Sequence, residues 1–301
     1  MKSSIMNANE NLHNANNEHA NLVASQDRPY RPWWSVLGRW LFVLSLGYLA
    51  ALVMLMFMEN FLVYRPTSAS QEWIPPPVQA IEDVELTSAN GVRLHAWWYP
   101  HADSQSALLY CHGNAGNLSY RGNSVVKLHD RLQLSVLIFD YPGYGKSTGK
   151  PSETGCYAAA DAAYIWLTET KKIAPEKIVL LGGSMGGGVA LDLASRKPCQ
   201  ALVLIKTFTT MPEVAQCHYP WLPVRWLMRN RYDNLGKIGR CRQPVFIAHG
   251  TMDSLVPYSH GERLFAAANQ PKFFLSMDHI DHNDPLPPEF FQSLKQFLVS
   301  Q

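Results

Sequence analysis

The chain has 301 residues, of which 47% are hydrophobic and 17% carry a charge. This composition suffices for one substantial apolar core and excludes a chain that is disordered throughout. The formal net charge of +2, with basic residues scattered along the chain, gives no indication of a nucleic-acid partner. The five cysteines are odd in number and not closely spaced, which predicts buried free thiols and implies no metal or organic cofactor.

The N-terminal part is predicted to hold a disordered tail and a membrane span. Residues 1–32 are rich in Asn, Ala and His and show no apolar periodicity, which is typical of disorder. Residues 40–58 carry no charge, and their apolar flanks extend the predicted transmembrane helix over residues 36–63. That length crosses a hydrocarbon layer of about 30 Å. The alternatives are a buried core helix and a cleaved signal peptide, which would need a shorter apolar region and a small-residue cleavage site.

The charges that flank the span predict its orientation. Arg28, Arg31 and Arg39 precede or open the span, whereas Arg65 follows it closely. Because basic residues favour the cytoplasmic side, we expect a single-pass protein with a cytoplasmic N-terminus. The large C-terminal part then lies on the opposite side of the membrane.

A Pro-containing linker, residues 64–80, leads to a globular pattern over residues 81–301. The Asn90-Gly91 dipeptide lies between two β-like runs and predicts a hairpin. Short apolar runs then alternate with helical patterns, which indicates a mostly parallel, twisted α/β sheet with helices on both faces. The predicted strands are 82–88, 93–100, 107–111, 135–141, 177–181, 201–207, 244–249 and 272–277. The predicted helices include 155–170, 186–197 and 259–268.

The sharpest motif is Gly182-Gly183-Ser184-Met185-Gly186, which fits G-x-S-x-G between a predicted strand and a predicted helix. This context is what a nucleophile elbow requires, because the tight turn lifts the serine above the sheet at a helix N-terminus. A glycine-rich phosphate loop is the alternative. The motif at Ser184 has neither the Lys-Ser/Thr ending of a P-loop nor the spacing of a dinucleotide-binding loop.

A serine nucleophile needs a base and a group that orients the base, and both are expected downstream in the order acid, then histidine. Asp253 follows the strand that ends at His249 and is the candidate acid, with a helix N-cap as its alternative role. The loop after the last strand offers two histidines, His279 and His282. Loop length alone does not separate them.

An oxyanion hole needs two backbone N–H groups aimed at the developing negative charge. Met185, the residue after the serine, is expected to supply one of them. The second is expected from the glycine-rich loop that follows the strand 107–111, with Asn114 as the donor and Ala115 as the neighbouring alternative. His112 is expected to position this loop.

Five ordered motifs resemble the membrane-anchored α/β-hydrolases, in particular the bud-emergence group and related α/β-hydrolase-domain-containing proteins. They are HGNAGN at 112–117, FDYPGYGKSTGKPSETG at 139–155, GGSMGG at 182–187, HGTMDSLVP at 249–257 and HND at 282–284. The resemblance covers roughly residues 60–300 and implies the α/β-hydrolase fold with the triad Ser184, Asp253 and His282. The chain departs from the family in the approach to that histidine, Asp278–Asp281, and at Lys206, where relatives tend to have a small or acidic residue.

The resulting prediction is an enzyme that hydrolyses carboxylic esters or thioesters through an acyl-serine intermediate. Its partners would be a small-molecule acyl ester and the lipid bilayer, which brings lipid-like substrates within reach. A serine peptidase or amidase ranks lower, because no large cap domain precedes the hydrolase part. A non-catalytic membrane scaffold is the alternative of another class. Residues 208–240 are interpreted as either a helix packed on the core or a small cap that offers an apolar wall to an acyl chain.

Overall fold

A computed structural model describes residues 15–19 and 32–300 of the chain. The chain divides into two compact units, Met1–Leu55 and Met56–Gln301. The tail predicted over residues 1–32 therefore lies outside the described residues, apart from residue 32 and the helical residues 15–19. Its disorder stays a prediction.

Helix α1, Trp33–Tyr64, is long and apolar enough to be a candidate membrane span. Its most apolar 18-residue window has a mean hydropathy of 2.4, and none of that window is buried. The helix continues past Leu55, so that residues 56–64 belong to the second unit. The 23 residues from Trp33 to Leu55 still give about 34 Å of helix, enough for a hydrocarbon layer. The orientation across a membrane stays a prediction.

The second unit is built on one eight-stranded sheet in the spatial order β1-β2-β4-β3-β5-β6-β7-β8. Strands β1 and β2 pair antiparallel, as do β2 and β4, and every other pairing is parallel. The predicted strands and the antiparallel hairpin at one edge are therefore confirmed. The strands are β1 Glu82–Thr87, β2 Arg93–Tyr99, β3 Ala107–Cys111, β4 Ser135–Phe139, β5 Ile178–Gly183, β6 Ala201–Ile205, β7 Val245–Gly250 and β8 Lys272–Met277.

Helices cover both faces of this sheet. Successive strand residues point to opposite faces, which explains why the core divides into two clusters, one holding Leu109 and Leu180 and the other Leu108 and Val179. The helices of this unit after α1 are α2 Gly122–Leu132, α3 Glu153–Ile165, α4 Met185–Ala194, α5 Met211–His218, α6 Val224–Leu227, α7 Asn234–Ile238, α8 Ser259–Ala267 and α9 Pro288–Val299. Helices α3, α4 and α8 supply residues to the first cluster, and α2 and α9 to the second.

The burial of the central strands explains their continuous apolar sequence pattern. Every residue of β4 and of β6 is buried, because helices cover both faces, and the strands therefore read as continuous apolar runs. The predicted helix 155–170 is in fact α3 followed by a π-helical turn, Trp166–Thr170. Its start is set by Ser152, whose side chain accepts a hydrogen bond from the N–H of Gly155.

The predicted linker, residues 64–80, is bound to the domain over its first part. The N–H of Thr67 donates to the carbonyl oxygen of Gly116 at 2.9 Å, and that of Ala69 to Gly145 at 2.8 Å. The N–H of Gly145 in turn donates to the carbonyl oxygen of Thr67 at 3.0 Å. This segment therefore packs along two loops at the carboxyl ends of the strands, the edge at which the candidate site lies.

Candidate active site

Ser184 lies in the turn between β5 and α4, at the carboxyl edge of the sheet. Its backbone has φ 52° and ψ −122°, a conformation that costs a non-glycine residue on the order of 1–3 kcal/mol. Three hydrogen bonds hold the turn: the Ser184 N–H donates to Ile205 O at 2.9 Å, and Ser184 O accepts from the Gly187 N–H at 3.0 Å and the Thr207 hydroxyl at 2.6 Å. The surrounding structure therefore fixes a strained serine.

Glycines let the turn pack this tightly. A Cβ on Gly182 would overlap the backbone of Gly186, and one on Gly186 would overlap the carbonyl oxygens of Cys111 and His112. Close contact between the start of α4 and the end of β3 is thus possible only without a side chain at Gly186. This contact brings the loop after β3 next to Ser184, and a Cβ on Gly113 would lie 3.7 Å from the Ser184 Cβ.

The imidazole of His282 lies between Ser184 and Asp253. Its Nε2 is 3.1 Å from the Ser184 Oγ, and its Nδ1 is 2.8 Å from one carboxylate oxygen of Asp253 and 3.1 Å from the other. The ring is almost fully covered, with 8% of the side chain exposed. His279, the other histidine of this loop, is an exposed residue with φ 59° whose N–H donates to the Thr251 hydroxyl. The geometry joins Ser184 to His282 rather than to His279.

Asp253 is a buried carboxylate held as an anion. Its Oδ1 accepts the N–H groups of Leu255 and Val256 at 3.0 and 2.7 Å, and the Nε2 of His249 lies 3.4 Å from its Oδ2. Burial alone would raise the pKa of Asp253, but the hydrogen bonds with His249, His282 and the Val256 N–H outweigh it and hold the pKa well below its usual range. The helix N-cap role considered as an alternative for Asp253 is wrong, because the next helix begins at Ser259 with Tyr258 as its N-cap; the carboxylate instead binds N–H groups of its own loop and contacts His282.

Lys206, at the end of β6, contacts the loop that carries His282. Its buried ammonium group donates to three backbone carbonyl oxygens, those of Asp281 at 2.7 Å, His282 at 3.1 Å and Asp284 at 2.9 Å. Burial lowers the pKa of Lys206, while the carboxylates of Asp253, Asp284 and Asp281 act in the opposite direction. The ammonium group of Lys206 therefore holds the backbone before and after His282.

A second link joins the loops that carry Asp253 and His282. The Oδ1 of Asp281 accepts the N–H of Ser254 at 2.8 Å, the hydroxyl of the same serine at 2.9 Å and the N–H of His282 at 2.7 Å. These hydrogen bonds lower the pKa of Asp281. The residues on either side of the acid and the histidine are thereby held to one another.

The two predicted oxyanion donors, Met185 and Asn114, lie at the start of α4 and in the loop after β3, which approach each other closely at Gly186. Met185 is the first residue of α4, so its N–H has no acceptor within the helix. The N–H of Asn114 has no acceptor within residues 32–300, whereas that of Ala115 donates to Tyr64 O at 2.9 Å. Of the two loop residues considered, Asn114 therefore has the available donor.

His112 lies behind the loop rather than in the site. It is fully buried, its Nδ1 is 2.7 Å from Gly113 O, and its ring packs against those of Tyr141 and Tyr144. The Tyr141 hydroxyl donates to the His112 carbonyl oxygen at 2.8 Å. These contacts fit the loop-positioning role expected for this histidine.

Two recesses of the second unit lie away from Ser184. One, of about 720 Å³, lies at the far end of α4 from the serine and is lined by residues 194–199, 239–240 and 242–243 with Asn269. The other, of about 340 Å³, lies between the last turns of α1 and the residues around Glu153 and Arg229. Neither recess is lined by Ser184, Asp253 or His282.

Some contacts of the site could not be read from the sequence. In the sequence, Lys206 is marked only by its departure from related sequences, although a lysine directly after the apolar strand Ala201–Ile205 is itself a signal of a buried, hydrogen-bonded cation. Asp281 is marked only as part of an unusual approach to the histidine. The contact of Tyr64 with Ala115 joins residues 51 positions apart, and no local pattern predicts it.

Comparisons with known proteins agree with this architecture. A family model described as alpha/beta hydrolase fold matches residues 106–234. An uncharacterized protein of Mycobacterium tuberculosis is 41% identical over 229 residues, which are 75% of this chain and 81% of that protein. Alpha/beta hydrolase domain-containing protein 17B of Xenopus tropicalis is 34% identical over 200 residues, which are 66% of this chain and 68% of that protein.

Solved structures share the fold at lower identity. An esterase of Pyrococcus furiosus superposes with a TM-score of 0.65 at 20% identity, covering 79% of this chain and 98% of the esterase. At that identity the likeness concerns the fold alone.

Proposed function

Because the chain belongs to the α/β-hydrolase fold family, we propose that it is a serine hydrolase that cleaves carboxylic esters or thioesters through an acyl-serine intermediate. The observation that carries the proposal is the position of the His282 ring, within hydrogen-bond distance of both the Ser184 hydroxyl and the Asp253 carboxylate. Those distances are what a general base and its orienting acid require. Ser184, Asp253 and His282 are the proposed catalytic residues.

In the first half of the reaction Ser184 becomes acylated. With Nδ1–H donating to Asp253, the Nε2 of His282 has a lone pair that accepts the Ser184 proton as Oγ attacks the carbonyl carbon. The oxygen of the tetrahedral intermediate takes up the negative charge and accepts hydrogen bonds from the N–H groups of Met185 and Asn114. The protonated imidazole then donates its proton to the leaving alcohol or thiol as the bond to it breaks.

In the second half water releases the acyl group. His282 removes a proton from water, the resulting oxygen nucleophile attacks the acyl carbon, and the same proton returns to the Ser184 Oγ as the acid departs. Asp253 stays ionised throughout, which its depressed pKa favours. It keeps the imidazole in the required tautomer and stabilises the imidazolium that forms in both halves.

The burial and charge of residues 208–240 favour a substrate with an apolar, lipid-like acyl group. Leu222 and Val224 are buried, whereas Trp221 and Trp226 are 65% and 87% exposed. Between residues 214 and 232 the chain has three arginines and no acidic residue, a composition suited to a membrane interface. The Nε2 of His218 lies 2.8 Å from Leu255 O, two residues beyond Asp253, so this segment adjoins the candidate site.

The test is hydrolysis of p-nitrophenyl esters of increasing chain length by the full chain in detergent. We expect turnover that Ser184→Ala abolishes and a preference for longer acyl groups. Aminoacyl-anilides in the same assay distinguish the peptidase alternative, which predicts measurable amide cleavage that Ser184→Ala also abolishes. A folded protein that cleaves neither class would contradict the proposal and favour the scaffold.

A further inference from the structure

The last turns of helix α1 make an unusual set of hydrogen bonds within the second unit. The buried carboxylate of Glu59 accepts the N–H of Arg229 at 2.9 and 3.1 Å and the N–H of Asn230 at 2.8 Å. It also accepts the side-chain amide of Asn230 at 2.9 Å. Hydrogen bonds to a charged acceptor are the strong ones, and breaking them would leave a buried carboxylate without partners.

A second carboxylate, that of Glu153, binds the next two residues of the same backbone segment. Glu153 accepts the N–H of Arg231 at 2.5 Å and that of Tyr232 at 3.0 Å. Four successive backbone N–H groups, those of residues 229–232, are thus bound by two carboxylates. Residues 229–232 are therefore a fixed support to which the last turns of α1 are attached.

Tyr64, the last residue of α1, connects this support to the loop after β3. Its ring is fully buried, and its hydroxyl donates to the Asn230 Oδ1 at 2.5 Å and lies 3.1 Å from the Tyr232 hydroxyl. Its carbonyl oxygen accepts the N–H of Ala115 at 2.9 Å and the Tyr144 hydroxyl at 2.5 Å. One residue therefore binds the support through its side chain and the loop through its backbone.

The carbonyl oxygen of Val63, the residue before Tyr64, also binds this loop. Val63 O accepts the side-chain amide of Asn114 at 3.2 Å. The last carbonyl groups of a helix have no partners within the helix and must find them elsewhere. In this chain Asn114 and Ala115 are among the groups that satisfy them.

The backbone of this loop is not relaxed. Ala115 has φ 61°, a left-handed conformation that a residue with a Cβ rarely adopts and that persists only where surrounding contacts impose it. The hydrogen bond from its N–H to Tyr64 O is one such contact. Without it, Ala115 can relax from this conformation, and the adjoining Asn114, which is itself bound to Val63 O only through its side chain, can shift together with its N–H.

We propose that the exit turn Glu59–Tyr64 is a positioning element of the oxyanion hole, in which Glu59 and Tyr64 act through the loop Asn114–Ala115. The inference rests on the proposed hydrolase function. The domain is then fully active only while this turn is helical and bound to residues 229–232. A protein cut at Arg65 would lack an acceptor for the N–H of Ala115 and would not be a faithful substitute for the full chain.

The test uses two variants of the full chain, Glu59→Gln and Tyr64→Phe. The matched controls are Glu85→Gln, at an exposed position, and Tyr164→Phe, which removes a tyrosine hydroxyl that donates to Pro198 O away from the site. Active sites are titrated with a fluorophosphonate, so that kcat refers to folded, reactive molecules alone. If Glu59 and Tyr64 only stabilise the fold, the variants contain fewer titratable active sites. If they position the oxyanion hole, each titrated site turns over more slowly. The second readout is inhibition by a trifluoromethyl ketone, whose serine adduct carries the oxyanion.

We expect kcat per titrated site to fall about 10-fold in each variant, less than the loss of a whole oxyanion donor, with KM within about 2-fold of wild type. The ketone should bind more weakly by the same factor as the loss in kcat/KM, and the controls should match wild type. Unchanged kcat per site in both variants, or a lower kcat with unchanged ketone affinity, would overturn the inference while leaving the proposed function intact. A folded wild type without esterase activity or labelling would overturn both.

Discussion

The ammonium group of Lys206 lies 3.1 Å from the carbonyl oxygen of His282 and contacts the carbonyl oxygens of Asp281 and Asp284 as well. The imidazole that bridges Ser184 and Asp253 is thus attached to a loop that a buried cation holds on both sides. Because Lys206 directly follows β6, this contact fixes the loop to the sheet itself.

We predict that Lys206→Met lowers kcat about 10- to 100-fold with little change in KM, because a displacement of a catalytic group by about 1 Å has effects of that size. The variant should also unfold at a lower temperature, since three carbonyl groups lose their donor. Ester hydrolysis and thermal unfolding measure the two effects. Lys150→Met, at an exposed position, is the control, and equal kcat values for the two variants would argue against the role of Lys206.

Gly183 and Gly186, on either side of Ser184, should respond differently to alanine. In Gly186→Ala the new methyl group would overlap the carbonyl oxygens of Cys111 and His112, so the start of α4 and the loop after β3 must separate. We expect a loss of at least about 2 kcal/mol in the free energy of unfolding, as for other overpacked sites, and a large loss of activity. In Gly183→Ala the nearest atom, Ile205 O, would be 3.9 Å away. That variant should stay within about 3-fold of wild type in kcat/KM, and similar losses in both would refute the close-approach argument.

Asp253→Asn is expected to lower kcat by about 10⁴-fold, as loss of the orienting carboxylate does in comparable triads. The amide side chain still fits, but its NH₂ group can favour the imidazole tautomer whose Nε2 carries the proton and cannot accept one from Ser184. Steady-state kinetics on a p-nitrophenyl ester measure the effect. A loss below about 10-fold would show that this carboxylate does not orient the histidine.

The depressed pKa of Asp253 also makes a prediction for stability. A carboxyl group whose pKa is lower in the folded than in the unfolded protein stabilises the fold above its unfolded pKa of about 3.9, and that contribution is lost as the pH falls further. Between pH 6 and pH 3 the free energy of unfolding of the wild type should therefore fall by about 1 kcal/mol more than that of Asp253→Asn. Urea titrations at the two pH values provide the comparison, and parallel losses in both proteins would contradict it.

The sequence predicted the parts of the structure that depend on local pattern. Buried parallel strands such as β4 and β6 are uniformly apolar, and the turn at Ser184 needs glycines at fixed positions, so both leave a clear signature. Helices α2 and α9 were not singled out, although they complete one face of the sheet.

Long-range contacts left no such signature. The choice between His279 and His282 did not follow from loop length and needed a family resemblance, because the loop is held by Lys206, some 76 residues earlier. Likewise, the predicted membrane helix extended to residue 63 on apolarity alone. The carboxylate of Glu59 within it is satisfied by backbone groups 170 and 171 residues further along the chain.

The most direct test of the central claim is to locate the adduct that a fluorophosphonate forms with the full chain, by mass spectrometry of its peptides. We expect a single modified residue, Ser184, with no labelling of Ser184→Ala and normal labelling of Ser124→Ala, a change at an exposed serine of α2. Labelling that persists in Ser184→Ala, or a folded wild-type protein that does not react, would contradict it.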